Sequence, residues 1–210
     1  MSSNVIFAKQ YAKLNFGGCV SDLEHCKELA NAGYYTEAFL AMWILVEAIS
    51  KKIQITYRCS MDAEKISDSL LAKLHTHEID IEKNNLIIQI NDTLFYRVKE
   101  MYGNKRENVF ADTVISGLTL IEPTADKSQL RFLLASKIDK SPKGGLTSKT
   151  TIRERRNQVI HNNSKITQDY FENTIDYFDY FFSLTVKAKS VTNGITDMTL
   201  TANIDPIDAP

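Results

Sequence analysis

Thr151-Ile152-Arg153-Glu154-Arg155-Arg156-Asn157-Gln158-Val159-Ile160-His161-Asn162-Asn163 is the stretch around which the rest of this chain is read. Arg153, Arg155 and Arg156 fall within one helical turn, and Thr151 or Ser148 can cap the start of that helix. Val159 and Ile160 can face a core. Five steps of about 100° carry His161 roughly 140° round the axis from Arg156 and about 7.5 Å along it. The two side chains therefore do not share one narrow stripe. A long arginine and a cleft edge spanning two faces still let them converge.

Working outward, the chain has 210 residues, 43% of them hydrophobic and 24% charged, with a net charge of −1. That length suits one domain, or one domain with an insertion and a tail, large enough to bury a sizeable core. Near neutrality removes any global attraction to nucleic acid, so RNA binding requires a local basic patch. Cys19, Cys26 and Cys59 are odd in number and lack CxxC spacing, which argues against a disulfide framework or a zinc site and for a reducing cytoplasm. The first residues lack the basic-then-apolar pattern of a signal peptide. The longest apolar run, 39–49, is too short for a membrane span and carries Glu47.

In chain order, 1–18 reads as a short helix or an extended arm ending at Gly17-Gly18. Ser21 and Glu24 form a capping-box pattern that predicts a helix over 21–32, broken at Gly33. A second, longer helix is predicted over 34–57. Its apolar residues, Trp43 among them, surround much of the circumference, so it is read as largely buried. Joined by so short a turn, the two should pack antiparallel. Amphipathic helices follow at 62–74 and 91–102, with 79–90 ambiguous between strand and helix. Residues 114–121, rich in β-branched side chains and containing Gly117, read as strand or loop. A further helix is expected over 128–138, then a lysine- and glycine-bearing loop. The last helix is placed at about 167–187, and 190–210 reads as a tail without helical period. Its aromatic stripe, Tyr170 to Phe182, is read as core or dimer packing ahead of base stacking.

Arg156-Asn157-Gln-Val-Ile-His161 resembles the Arg-polar-x3-His motif of the HEPN family (higher eukaryotes and prokaryotes nucleotide-binding domains). The wider Arg-Arg-Asn-Gln-Val-Ile-His-Asn context resembles its stand-alone prokaryotic ribonucleases. Ala30-Asn-Ala-Gly-Tyr-Tyr-Thr-Glu-Ala-Phe-Leu40, followed by Trp43 and Glu47, resembles the opening hairpin of these bundles. Glu47-Ala-Ile-Ser-Lys51-Lys52 matches an E-x3-K-[K/R] pattern found in some members. The resemblance implies a mainly α, antiparallel helical bundle over 1–189, with a variable and irregular, partly β insertion at about 76–127 and a tail at 190–210. It also implies a symmetric dimer that brings two Arg…His motifs to one cleft. Small members act as toxins or in phage defence, restrained by an inhibitor or sensor protein.

Metal-free RNA cleavage needs a base for the ribose 2′ proton, a cation for the phosphate and an acid for the leaving 5′ oxygen. Histidine suits the proton work and arginine the phosphate. His161 and Arg156 are the minimal catalytic pair, with Asn157 orienting His161 or donating to phosphate. Glu47 and Lys51, at i and i+4, share one face. A carboxylate in so apolar a helix should have a partner, and the pair is read as supporting the arginine or the phosphate. Arg153, Arg155 and Asn162 are candidate RNA-backbone contacts, or else a solvated basic face. No cofactor or metal is expected. His75, His77, Glu78 and Asp80 resemble a metal cluster at first sight, but they need another ligand from elsewhere and read better as a polar helix end and loop. His25 is read as surface, and Cys26 and Cys59 have no base beside them in sequence. An adenylylated tyrosine at position 170 is a weaker idea, because no Y-x-Y follows His161. The competing reading of the whole is a non-catalytic helical module that binds RNA, nucleotide or protein, told apart by whether His161 is buried in a closed core.

Overall fold

The computed structural model describes residues 3–16, 19–75, 84–103, 108–136 and 150–201. Among these, eight helices occur: α1 (Ser3–Ala12), α2 (Cys19–Asn31), α3 (Tyr35–His75), α4 (Asn84–Gly103), α5 (Ala111–Ile121), α6 (Lys127–Leu134), α7 (Ile152–Asn162) and α8 (Gln168–Thr201). The molecule is a mainly helical bundle, and no strand occurs among the described residues.

The α2–α3 hairpin forms as its sequence predicts. Gly33 takes a positive φ of 87°, a conformation open to glycine. Its N–H reaches the Ala30 carbonyl at 2.9 Å, and the Tyr34 N–H reaches Leu29 at 2.9 Å. This double closure satisfies carbonyls at the end of α2 and turns the chain straight into α3.

α3 is 41 residues long, about 60 Å at 1.5 Å per residue. The two helices expected at 34–57 and 62–74 are one, because no glycine or proline stands between Tyr35 and His75. Val46, Ile49 and Ile53 face the main core with Phe39 and Met42, and further on Cys59 and Ala63 pack with Phe95 and Val98 of α4. α1, α2, α4, α5, α7 and α8 all lie against this one helix.

Three further expectations are corrected. Residues 114–121 are helical, inside α5, and its buried Val114, Ile115, Leu118 and Ile121 form a helical rather than an alternating face. Gly117 is there for closeness. A β-carbon at that position would lie 3.2 Å from Phe7 and 3.3 Å from Ile53, so glycine lets α1, α3 and α5 meet. The last helix also runs past Lys187 to Thr201, with Ala188 and Thr192 fully buried along it, so the first part of the expected tail is helix. The loop at 139–148, with Ser148, and the strand-or-helix choice at 79–83 lie outside the described residues. α6 stops at Leu134, earlier than expected.

No helix among the described residues is long and apolar enough to cross a membrane.

Candidate functional site

α7 is set in place by Thr151. Its side-chain oxygen accepts the Glu154 N–H at 3.1 Å, the capping role expected of it. The same hydroxyl donates to the Ala135 carbonyl at 2.8 Å, tying the start of α7 to the end of α6. At the other end Asn163 takes a left-handed conformation, φ 51°, and terminates the helix. Asparagine is among the few side chains that tolerate this. One of the asparagines after His161 is thereby accounted for by backbone geometry.

The three arginines go three ways. Arg153 turns inward, and its Nη1 donates to the carbonyls of Val109 (2.9 Å) and Leu134 (3.2 Å). Arg155 clamps the chain beyond its own helix, donating to Lys165 O at 3.0 Å and to Gln158 Oε1 at 3.0 Å, with its guanidinium over the Tyr170 ring. Arg156 crosses to α3. Its Nη2 meets Glu47 Oε2 at 3.3 Å, its Nη1 donates to Asn157 Oδ1 at 3.0 Å, and its guanidinium lies 6.0 Å from the centre of the Trp43 ring.

Glu47 therefore has the partner its setting demanded, and a second one: Lys51 Nζ lies 3.3 Å from its other oxygen. Glu47 and Arg156 are 32% and 27% exposed at their side chains, a half-sheltered pair at the rim rather than one sealed in the core. Of the residues singled out in the sequence, Arg156, Asn157, Glu47 and Lys51 meet at one place. Asn157 spends its oxygen on Arg156, so it orients the arginine rather than the histidine.

His161 lies on the last turn of α7 and is exposed, and so is Asn162 beside it. The burial that would have argued against a catalytic role is not found. Arg153 and Arg155 hold protein carbonyls instead of presenting a solvated basic face.

Next to the Glu47–Arg156 pair is a cavity of 220 Å³ between α3, α7 and residues 108–109. Sequence reasoning named Glu47 of its inner wall but not Trp43 or Ser50 as site residues. Trp43, Glu47 and Ser50 recur at i, i+4 and i+7, which puts them on one face of α3, and all three line the cavity. Trp43 Nε1, Ser50 Oγ and Arg156 Nε are buried without a protein partner. Each such group costs about 1–3 kcal/mol, so three around one cavity are unusual in a settled core. The spacing of Trp43, Glu47 and Ser50 was the available signal, masked by the apolar residues between them. A larger groove of 890 Å³ adjoins on the far side of Arg153, bordered by Phe110, Asp112, Lys127 and Arg131. His161 borders neither.

The remaining candidates resolve simply. The Tyr170 hydroxyl is buried without a partner, and burial pushes its pKa up to about 12, which counts against its modification. Burial likewise pushes the Cys59 thiol up to about 12, and Cys26 is raised by burial and by Asp22, so both behave as core residues rather than nucleophiles. His25 is exposed beside Glu28. Among the described residues no group of three potential ligands could hold a metal ion, while the side chains of His75, His77, Glu78 and Asp80 lie outside them. Comparisons with family models, with curated proteins and with solved structures gave no match.

Proposed function

We propose that this chain is a metal-independent endoribonuclease of the HEPN type, cleaving RNA at a composite site in a homodimer. The observation that carries the reading is the setting of Arg156. A guanidinium fixed by Glu47 and Asn157 stands at the rim of a cavity, on the same short helix as an exposed histidine.

The chemistry follows from the residues. Arg156 holds the scissile phosphate, with Glu47 and Lys51 fixing its position. His161 accepts the proton of the ribose 2′-hydroxyl. The 2′ oxygen attacks phosphorus, the bond to the 5′ oxygen breaks, and that oxygen leaves with a proton. The products are a 2′,3′-cyclic phosphate and a 5′-hydroxyl. One imidazole cannot take one proton and give another in the same step, so the second copy's motif supplies the acid.

A dimer face is available beside the motif. Ile44 is 65% exposed on α3 and Ile160 is 49% exposed on α7. α7 and the chain after it run antiparallel to α3, since Arg156 meets Glu47 while Ile166 N–H reaches Thr36 Oγ1. The two isoleucines therefore belong to facing segments next to Arg156 and His161. A toxin or anti-phage role, with a restraining inhibitor or sensor, extends this reading from the family it resembles.

One observation favours the second reading, a non-catalytic module that binds RNA, nucleotide or protein. Both terminal nitrogens of Arg156 already have protein partners. Inducing the wild type and His161→Ala, with RNA ends examined in each, separates the two. Growth arrest and cyclic-phosphate ends from the wild type alone support the ribonuclease. Intact RNA from both, in cells and with purified protein, favours the module.

A further inference from the structure

We infer that the groove beyond Arg153 is a track for single-stranded RNA, in which the Phe110 ring stacks an unpaired base and Lys127 and Arg131 hold phosphates of the same strand. That the strand continues to a scissile phosphate at Arg156 rests on the ribonuclease reading. The track itself rests only on the walls of the groove.

At 890 Å³ the groove lies near the top of the roughly 300–1,000 Å³ of small-ligand sites, ample for a nucleotide. Asn108, Val109 and Arg153 line both it and the cavity that holds Glu47 and Arg156, so the two adjoin along one wall. An extended polymer can pass from one to the other. The walls also carry the right charge. The chain as a whole has a net charge of −1, yet Lys127, Arg131 and Arg153 line this groove against one carboxylate, Asp112. Lys127 and Arg131 are exposed, as contact with a ligand requires. They stand at i and i+4 on α6, about 6 Å apart along its axis, close to the step between neighbouring phosphates of an extended strand. Arg153 keeps its Nη1 on two carbonyls, which are neutral, so its positive charge remains at the inner end. Asp112 lies 3.7 Å from Arg131, with side chains 87% and 62% exposed, and so loose a pair yields readily to a phosphate.

Phe110 adds what cations alone do not explain. It is 49% exposed at the groove, where a phenylalanine ring is ordinarily buried. Its position is set from α3. The Gln54 side chain accepts the Phe110 N–H at 2.6 Å and donates to the Asn108 carbonyl at 3.1 Å. The Arg58 guanidinium lies 5.0 Å from the centre of the ring and braces it. A ring held by backbone and cation, with half its surface open, is a preset platform. Stacking asks of a base only a free π-face, so the platform accepts any unpaired base and refuses one inside a duplex. Phosphate-binding cations beside a stacking ring are the two parts that single-strand binding combines. An acidic peptide would meet the same cations without a use for that pairing.

The probe is a labelled single-stranded oligomer of 2′-O-methyl nucleotides, which lacks the attacking hydroxyl and stays whole whether or not the protein is a ribonuclease. Anisotropy measures its affinity for the whole protein over a range of salt. Phe110→Ala should weaken binding about five- to twentyfold, and Phe110→Trp should bind at least as tightly as wild type. An abasic oligomer of the same length should not distinguish Phe110→Ala from wild type. The double variant Lys127→Ala, Arg131→Ala, confined to exposed positions of α6, should flatten the slope of log affinity against log salt by roughly 1–1.5, as for two phosphate contacts on a single strand; it serves if Phe110→Ala does not fold. No binding by wild type, or unchanged affinity in the variants, overturns the proposal. So does a duplex bound as tightly as the single strand, or an abasic oligomer weakened by Phe110→Ala as much as the base-bearing one. Polyglutamate competing as well as RNA overturns it in favour of an acidic protein partner. Failure of the ribonuclease reading shows elsewhere, as unmodified RNA left uncut, and leaves these affinities as they were.

Discussion

Arg153→Ala tests whether the first arginine of the cluster serves the fold or the substrate. Its Nη1 donates to Val109 O at 2.9 Å and Leu134 O at 3.2 Å. The Leu134 carbonyl belongs to the last turn of α6, where no further intrahelical N–H can reach it, so Arg153 acts there as a cap from outside. A hydrogen bond from a charged donor contributes about 1.5–3 kcal/mol. Two bonds leaving one nitrogen are not independent, so the expected loss on truncation is about 2–4 kcal/mol. For a chain of this size that corresponds to a fall in Tm of roughly 5–15 °C. Lysine carries its charge on a shorter stem, so Arg153→Lys should recover only part of the loss. Thermal and urea melts measure the change, and anisotropy of a labelled single-stranded RNA measures binding. An Arg153→Ala protein that melts within 1–2 °C of wild type but loses most of its RNA affinity would refute the structural assignment and restore Arg153 as a backbone contact.

Gly117→Val should cost about 1–3 kcal/mol, because its new β-carbon would press on Phe7 and Ile53 where α1, α3 and α5 meet; a urea midpoint unchanged from wild type would show that the junction is loose. Hydrogen bonds from Ser128 and Gln129 hold the Asp126 carboxyl below its usual range. Its contribution to stability is then complete above the ordinary carboxylate range, about pH 4, and is lost as the pH falls through the lowered folded value. Asp126→Asn, which still caps α6, should melt like wild type at neutral pH and lose less on acidification, read from Tm against pH. On the proposed reading of a homodimer, Ile44→Lys should leave the monomer fold within about 0.5 kcal/mol of wild type and abolish dimerisation in sedimentation; an equally dimeric variant would move the interface elsewhere.

The helical class, the α2–α3 hairpin and the start of α7 were legible because each has a local cause: period, a glycine at positive φ, and a threonine cap. Glu47 was legible for a different reason. A carboxylate among apolar neighbours needs a cation, and Lys51 and Arg156 both answer it. Gly117 misled because glycine among β-branched residues reads as a helix breaker, whereas here its missing side chain makes room for neighbours distant in sequence. The three arginines could not be told apart for the same kind of reason. Nothing local distinguishes Arg153 from Arg156, and their fates are decided by a carbonyl at position 109 and a carboxylate at position 47.

The 140° between Arg156 and His161 explains why one side chain is held and the other exposed. The face of α7 that carries Arg156 is turned to α3 and the cavity, so its charge is balanced before any substrate arrives. Position 161 is rotated away from that face, and its imidazole has nothing of its own chain to act upon. Within one chain Arg156 and His161 therefore occupy different faces, and on the proposed reading a single motif is a poor catalyst however well each half is placed. On that reading a second copy resting on Ile44 and Ile160 changes this, by bringing its own histidine to the opposite arginine. On the proposed reading Ile44→Lys, which removes neither Arg156 nor His161, should thus reduce cleavage as deeply as His161→Ala does. A monomeric Ile44→Lys protein that still cuts RNA at the wild-type rate would place the whole active site within one chain and end the argument for a shared cleft.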